Sequence, residues 1–249
     1  MIELKTPDEL QRMRHAGAIV ARLLQHLAGR VAPGIKTKEL EAASRAFIEA
    51  SGAEPAFLGY RGFPATVCVS VNEEVVHGIP GERVIKAGDV VSIDAGVKYE
   101  GLFSDAALTV AVGRVSARAQ RLIEATRQAL EEAIAQVRPA NRLSDISHAV
   151  QQTVEREGFG IVRDFVGHGI GRALHEEPPI PNYGAPHAGP RLQPGMVLAI
   201  EPMVTMGRWD VDVLEDGWTA VTRDRSLAAH FEHTVAVTER GPEVLTRAN

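Results

Sequence analysis

The sequence predicts an α+β domain built from two similar halves, and three observations carry that expectation. Helical and strand-like periodicities follow one another in the order helices, strands, helices, strands. The segment Gly88-Asp89-Val90-Val91-Ser92-Ile93-Asp94 echoes Gly195-Met196-Val197-Leu198-Ala199-Ile200-Glu201, with Gly, Val, an aliphatic, a small residue, Ile and an acid in register. Upstream of each copy lies a His-Gly-Ile, beginning at His77 and at His168. Two echoes in the same order point to duplication with pseudo-twofold symmetry rather than to a solenoid. The expected unit is a single catalytic domain over 1–249, in halves of about 1–112 and 113–249, with both acid-bearing strands reaching one central cleft.

Each element has its own signal. Thr6-Pro7-Asp8-Glu9 reads as a helix start, with Thr as N-cap, Pro in the first turn and Glu three residues after the cap. Leu10, Met13, Ala16, Val20, Leu23, Leu24 and Leu27 then keep helical spacing towards Gly29. A second helix starts at Thr37 and runs through Leu40, Ala43, Phe47 and Ile48 to Gly52. Strands follow at Thr66–Val71, Asp89–Val97 and Leu102–Val112, the last two flanking the turn-like Lys98-Tyr99-Glu100-Gly101. Two further helices are expected from Ser116 towards Arg138 and from Ser144 to Gly158. The remainder returns to strands, with Asp216-Gly217 marking a hairpin inside Val211–Thr222.

Composition narrows the class. The chain has 249 residues, 45% hydrophobic and 24% charged, enough for a single sizeable core. A net charge of -5 is too mild to indicate a basic partner, and no Lys/Arg cluster interleaved with aromatics suggests nucleic-acid binding. Cys68 is the single cysteine, which excludes an internal disulfide and a thiolate-rich metal site. The start is charged and leads into a helix, so it does not read as a signal peptide. No apolar run approaches the ~20 residues that cross a bilayer. A cytoplasmic protein is expected, and the absence of an apolar stripe predicts a monomer.

Four acids interrupt stretches that otherwise read as buried strands: Asp94, Asp105, Glu201 and Glu232. A buried ion without a partner costs several kcal/mol even after relaxation, and neighbouring carboxylates would repel and protonate. No Arg or Lys pattern matches them, so bound metal is the economical compensation. Ser92 and Asp94 share a strand face, as do Glu232, Thr234 and Ala236, giving the acids small or polar companions. Oxygen ligands with one imidazole favour Mn(II), Fe(II), Co(II) or Zn(II). Two such cations would neutralise the four charges, hold a hydroxide and clamp the oxyanion of a peptide carbonyl, so metal-assisted hydrolysis is expected.

The histidines differ in standing. His168 lies in Gly167-His168-Gly169-Ile170-Gly171, where glycines serve turns or let the backbone approach a metal; the ligand is the favoured reading. His175, in Leu174-His175-Glu176-Glu177-Pro178, does not form the helical His-Glu-x-x-His of zinc proteases, because Pro179 occupies the fifth position. His77 reads as a satisfied core histidine or, by the internal echo, as a residue of the cleft, and the echo favours the cleft. His230 and His233 flank Glu232, but a regular strand turns His233 to the opposite face, and a structural role is expected there. His15, His26, His148 and His187 carry no assignment. Cys68 reads as a small buried wall residue, since no base accompanies it.

These residues resemble the type I methionine aminopeptidases. The resemblance rests on Phe165 through Tyr183, on Ser70-Val71-Asn72-Glu73-Glu74-Val75-Val76-His77-Gly78-Ile79-Pro80, on Pro194-Gly195-Met196 through Glu201-Pro202-Met203, and on Asp216-Gly217-Trp218-Thr219 through Glu232-His233-Thr234. It covers essentially the whole chain. It implies the pita-bread fold and removal of the initiator methionine from nascent proteins whose second residue is small. It further implies that Asp94, Asp105, His168, Glu201 and Glu232 hold two divalent ions (Co, Mn, Fe(II) or Zn), with Asp105 and Glu232 bridging. Asp94 would complete one site, and His168 with Glu201 the other. Glu201 would also act as general base, His77 would assist the leaving group, and His175 would stabilise the oxyanion. Tyr60, Phe63, Cys68, Leu174 and Trp218 would line or border the methionine pocket. The partners implied are nascent polypeptide N-termini, with ribosome contact a family-level expectation.

Some positions depart from the family pattern. Ala106 stands where many relatives carry a hydroxyl, Phe63 where some carry tyrosine, and Leu174 where an aromatic is frequent; none is a ligand position. Prolidase-like relatives typically carry a large additional N-terminal domain, for which the two helices before the first strand leave no space. Type II enzymes insert a helical subdomain between Glu201 and Glu232, a stretch already filled by the hairpin. A non-catalytic binding module should have lost ligands, whereas all five ligand positions and both histidines are filled.

Overall fold

The computed structural model describes residues 2–247. Helix α1 (Pro7–Ala28) opens with the predicted capping box: the Thr6 hydroxyl accepts the Glu9 N–H, and the Glu9 carboxylate accepts the Thr6 N–H. Its apolar stripe, with Ile19, Leu23 and Leu27 fully buried, lies with α2 (Thr37–Ala50) against the strands of the first half. Those strands are β1 (Glu54–Pro55), β2 (Val67–Val71), β3 (Glu74–Val76), β4 (Val90–Tyr99) and β5 (Leu102–Ala111).

Helices α3 (Ala117–Ala135) and α4 (Leu143–Arg156) cover the second half. α3 stops short of the expected Arg138. α4 starts before Ser144, because the Asp145 carboxylate accepts the Arg142 N–H at 2.7 Å and moves the cap upstream. The strands that follow are β6 (Gly160–Ile161), β7 (Gly167–Gly169), β8 (Glu176–Ile180), β9 (Val197–Ile200) and β10 (Met203–Thr205). After them come β11 (Val211–Val213), β12 (Ala220–Thr222), β13 (Ala228–His230), β14 (Glu232–Thr238) and β15 (Gly241–Val244). The predicted hairpin joins β11 to β12 through a longer loop than a two-residue turn, closed by Asp216, whose carboxylate accepts the N–H groups of Trp218 and Thr219.

One nine-stranded sheet runs through both halves in the order β1-β4-β5-β14-β9-β7-β8, with β2 beside β4 and β15 beside β14. The seam is the β5–β14 pair, where Glu232 faces Ala107 and His233 faces Ala106. The sequence echo recurs in the backbone. Gly88 and Gly195 both take left-handed conformations, φ +94° and +93°, which favour glycine. The Gly88 N–H donates to Val112 O and the Val112 N–H to Asp89 O; the Gly195 N–H donates to Val237 O and the Val237 N–H to Met196 O.

Candidate metal centre and substrate cleft

The sheet register delivers the acids to one place. Asp94 and Glu232 both stand opposite Ala107, so the row β4–β5–β14 reads acid, methyl, acid. Cys68 faces Asp94 from β2. Asp105 on β5 is paired with Gly96, and its backbone is pinned by Thr234, whose Oγ1 accepts the Asp105 N–H at 3.1 Å and donates to its carbonyl at 2.7 Å. Glu201 comes directly after β9 rather than inside it, held where the Asn182 amide donates to its carbonyl at 3.0 Å. Small neighbours leave these carboxylates room, while burial removes their water.

Burial is the first cause that raises the pKa of all four carboxyls. Mutual repulsion adds to it: Asp105 pushes Asp94 up, and Asp94 and Asp105 push Glu201 up. Among the described residues no Lys or Arg lies within ion-pair distance of any of them; the only basic side chains in reach are the imidazoles of His168 and His230. Asp94 Oδ1 is buried without a hydrogen bond.

His168 sharpens the point. Its Nδ1 lies 2.9 Å from the Gly169 carbonyl, which can only accept, so Nδ1 carries the proton. Nε2 is then a lone pair. It faces Asp105 Oδ2 and Glu201 Oε1, each at 3.6 Å, beyond hydrogen-bond length. Acceptors facing acceptors across a buried gap are a poor arrangement for a proton and a suitable one for a cation. Ligand atoms of Asp105, His168 and Glu232 lie within 4.8 Å of one another. A divalent metal therefore fits this donor set.

His168 sits in strand β7, not in a loop, so its flanking glycines do not serve a turn. A Cβ at Gly167 would lie 2.4 Å from Ala199 O, and one at Gly169 would lie 2.2 Å from Glu177 O. The glycines are there because β7 is squeezed between β9 and β8.

A cleft of about 130 Å³ adjoins the acids, room for one side chain where drug-sized ligands take ~300–1,000 Å³. Every site residue expected from the sequence borders it: Tyr60, Phe63, Cys68, His77, Leu174, His175 and Trp218, with the five ligand candidates at its floor. Phe63 meets Trp218 edge to face at 5.1 Å. Burial and the Asp94 charge push the Cys68 thiol well up, as suits a wall residue and not a nucleophile. The His175 ring lies between His168, at 4.1 Å, and Tyr60, stacked at 5.2 Å, and this partial burial brings it down to about 3. His77 packs edge-on against Phe165 at 5.3 Å, and burial lowers its pKa.

His233 turns away, as a regular strand predicts, its Nδ1 2.9 Å from Thr246 Oγ1. His230, however, is 1% exposed, its Nε2 has no hydrogen-bond partner, and that atom lies 3.7 Å from Glu201 Oε2. The echo holds the signal: counting back equally from Val112 and Val237 reaches Asp105 in one half and His230 in the other. Phe57 and Arg61 also line the cleft without having been expected there.

Comparison with known proteins agrees with this chemistry. Residues 11–239 match the metallopeptidase family M24. Methionine aminopeptidase 1 of Bacillus subtilis is 53% identical, the match covering 99% of this chain and 100% of the relative. A crystal structure of methionine aminopeptidase from Thermotoga maritima superposes with a TM-score of 0.98 at 50% identity, covering 99% of this chain and 100% of that one. The prolidase of Pyrococcus horikoshii shares the fold alone: TM-score 0.81, 22% identity, 99% of this chain but 64% of that chain.

Proposed function

The chain belongs to the metallopeptidase family M24, and from that membership we propose how its own residues remove N-terminal methionine from polypeptides. The fold is the pita-bread α+β fold with internal pseudo-twofold symmetry, and the activity is that of a metal-dependent methionyl aminopeptidase. One observation carries the reading of the site: four carboxylates and the His168 lone pair converge in a cleft the size of one side chain, with no Lys or Arg among the described residues within ion-pair distance of them.

Asp94, Asp105, His168, Glu201 and Glu232 would hold two divalent ions, with Co, Mn, Fe(II) and Zn all compatible with the donors. When bound, such metal supplies Lewis acidity towards the scissile carbonyl and makes water a nucleophile near neutral pH. Tyr60, Phe63, Cys68, Leu174 and Trp218 would enclose the methionine side chain and exclude water from it. Glu201 would take the proton from the attacking water and pass it on as the amide bond breaks. His175, neutral at working pH, would donate a hydrogen bond to the developing oxyanion. His77 would stand at the departing amine, where a small second residue fits beside Phe165.

We place this activity in one catalytic domain over 1–249, of halves about 1–112 and 113–249, working in the cytoplasm as a monomer on nascent chains, with contact at the ribosome. No helix among the described residues is long and apolar enough to cross a membrane. The test is hydrolysis of a Met-Ala-Ser peptide by metal-loaded protein, with and without chelator. Intact peptide sinks the aminopeptidase reading; preference for X-Pro peptides replaces it with a prolidase-like one.

A further inference from the structure

The loop Gly171–His175 joins two histidines of the cleft, His168 on β7 and His175 just before β8. Among the described residues no hydrogen bond holds the His175 imidazole; its ring is kept by stacking on Tyr60 and a tilted contact with His168. The position of that ring therefore depends on the backbone that carries it. The next residue, Glu176, is tied on both carboxylate oxygens. Oε1 accepts the N–H groups of Arg172 at 2.6 Å and Ala173 at 3.0 Å, folding the loop back on itself. Oε2 accepts from the Lys5 ammonium at 2.5 Å.

Lys5 is unusual for a lysine near the start of a chain. It is 5% exposed, and its Nζ also donates to Glu3 O at 3.1 Å. Its stem passes so close to Gly171 that a Cβ there would meet Lys5 Cε at 1.9 Å, so the loop is closed around the lysine. The lysine itself is anchored to the far end of the site, where its N–H donates to Gly195 O at 2.7 Å, just before the strand that leads to Glu201. A second clamp runs parallel: the Arg172 guanidinium takes the Glu9 carboxylate at 2.7 and 3.0 Å and also pairs with Glu3. A charge sealed inside a loop is costly unless fully paired, and here the pairing fixes one arrangement of that loop.

We propose that Lys5, acting through Glu176, is a positioning residue that sets where His175 stands over His168, and thereby its hydrogen bond to the oxyanion. The inference rests on the aminopeptidase reading for its catalytic consequence but not for its geometry. A misplacement near 1 Å at a reacting group costs about a hundredfold in rate, and an interaction made only in the transition state appears in kcat rather than KM.

The experiment is a double-mutant cycle on the full chain, using Lys5→Met, Lys5→Arg and His175→Ala with a Met-Ala-Ser peptide. Lys5→Met is expected to lose about 10- to 100-fold in kcat with KM within about twofold, Lys5→Arg to recover part of the loss, and Lys5→Met to cost nothing further once His175 is alanine. An equal loss in both backgrounds, or kcat retained in Lys5→Met, overturns the proposal. If Lys5→Met does not fold, Glu176→Gln runs the same cycle. An independent readout is the nuclear Overhauser effect between the His168 and His175 rings. It should be present in the wild type and lost or weakened in Lys5→Met. This decides the proposal without reference to turnover, so a wild type that cleaves no Met-Ala-Ser counts against the aminopeptidase reading alone.

Discussion

His168 Nε2 and Glu201 Oε1 face each other at 3.6 Å, too far apart for a hydrogen bond to join them. That spacing connects the burial of the acids to the behaviour of the protein in solution. Folding alone leaves the centre electrostatically unfinished, and a cation completes it.

Metal uptake should release protons. Burial and mutual repulsion raise the carboxyls of Asp94, Glu201 and Glu232 well above their ordinary range, so protons compete with a divalent ion for them. Titration calorimetry in two buffers of different ionisation enthalpy should give different apparent heats, and affinity should rise with pH. Saturating metal at about 100 times its dissociation constant should add about 2.7 kcal/mol of stability. Buffer-independent heats would contradict this picture.

Glu201→Gln keeps the shape of the side chain and removes the base. Turnover of Met-Ala-Ser should fall about 10²- to 10⁴-fold, the range of a lost general base. Activity within a few-fold of wild type would remove Glu201 from the proton-transfer role.

Glu9 offers a pH test away from the metal. Hydrogen bonds from Arg172 and then from the Thr6 N–H bring its carboxyl down to about 2, against an ordinary 4.5. A folded-state pKa below the unfolded one gives stability that is present above about 4.5 and is lost as pH falls towards 2. The denaturation midpoints of wild type and Glu9→Gln should therefore differ most near neutrality and converge in acid. A gap that widens in acid would refute the assignment.

Gly169→Ala should be damaging in spite of its size. The added methyl would meet the backbone of Glu177, oxygen at 2.2 Å and carbon at 2.7 Å, so β7 and β8 must part. A loss of about 1–3 kcal/mol in stability is expected, together with weaker metal binding as His168 is displaced. Wild-type melting temperature and metal affinity in this variant would show that the strands can part freely.

Much of this molecule is legible in its residues, and the illegible part has physical reasons. Asp94 and Glu232 announce themselves because an acid amid valines and isoleucines has no cheap explanation. The Thr6–Glu9 cap is a local motif and reads directly. The α4 start is missed by a residue because Asp145, not Ser144, supplies the cap. His230 is missed because alternation within a strand predicts a face and not what stands opposite; its neighbour Glu201 follows β9, a strand of a different sheet from His230's own β13. The glycines around His168 look like turn signals, since a sequence does not display how closely strands pack. Lys5 has no local signature at all, because its partner Glu176 is 171 positions away.

The seam between β5 and β14 has a consequence for how the protein comes into being. Asp105 and Glu232 come from different halves and meet only when those strands pair. Contacts between segments so distant in sequence are slow to close, and loop entropy delays them until their flanking elements are in place. Until that seam closes, Asp94 and Asp105 stand without Glu232. The four carboxylates thus come together in the same event that joins the two halves of the sheet.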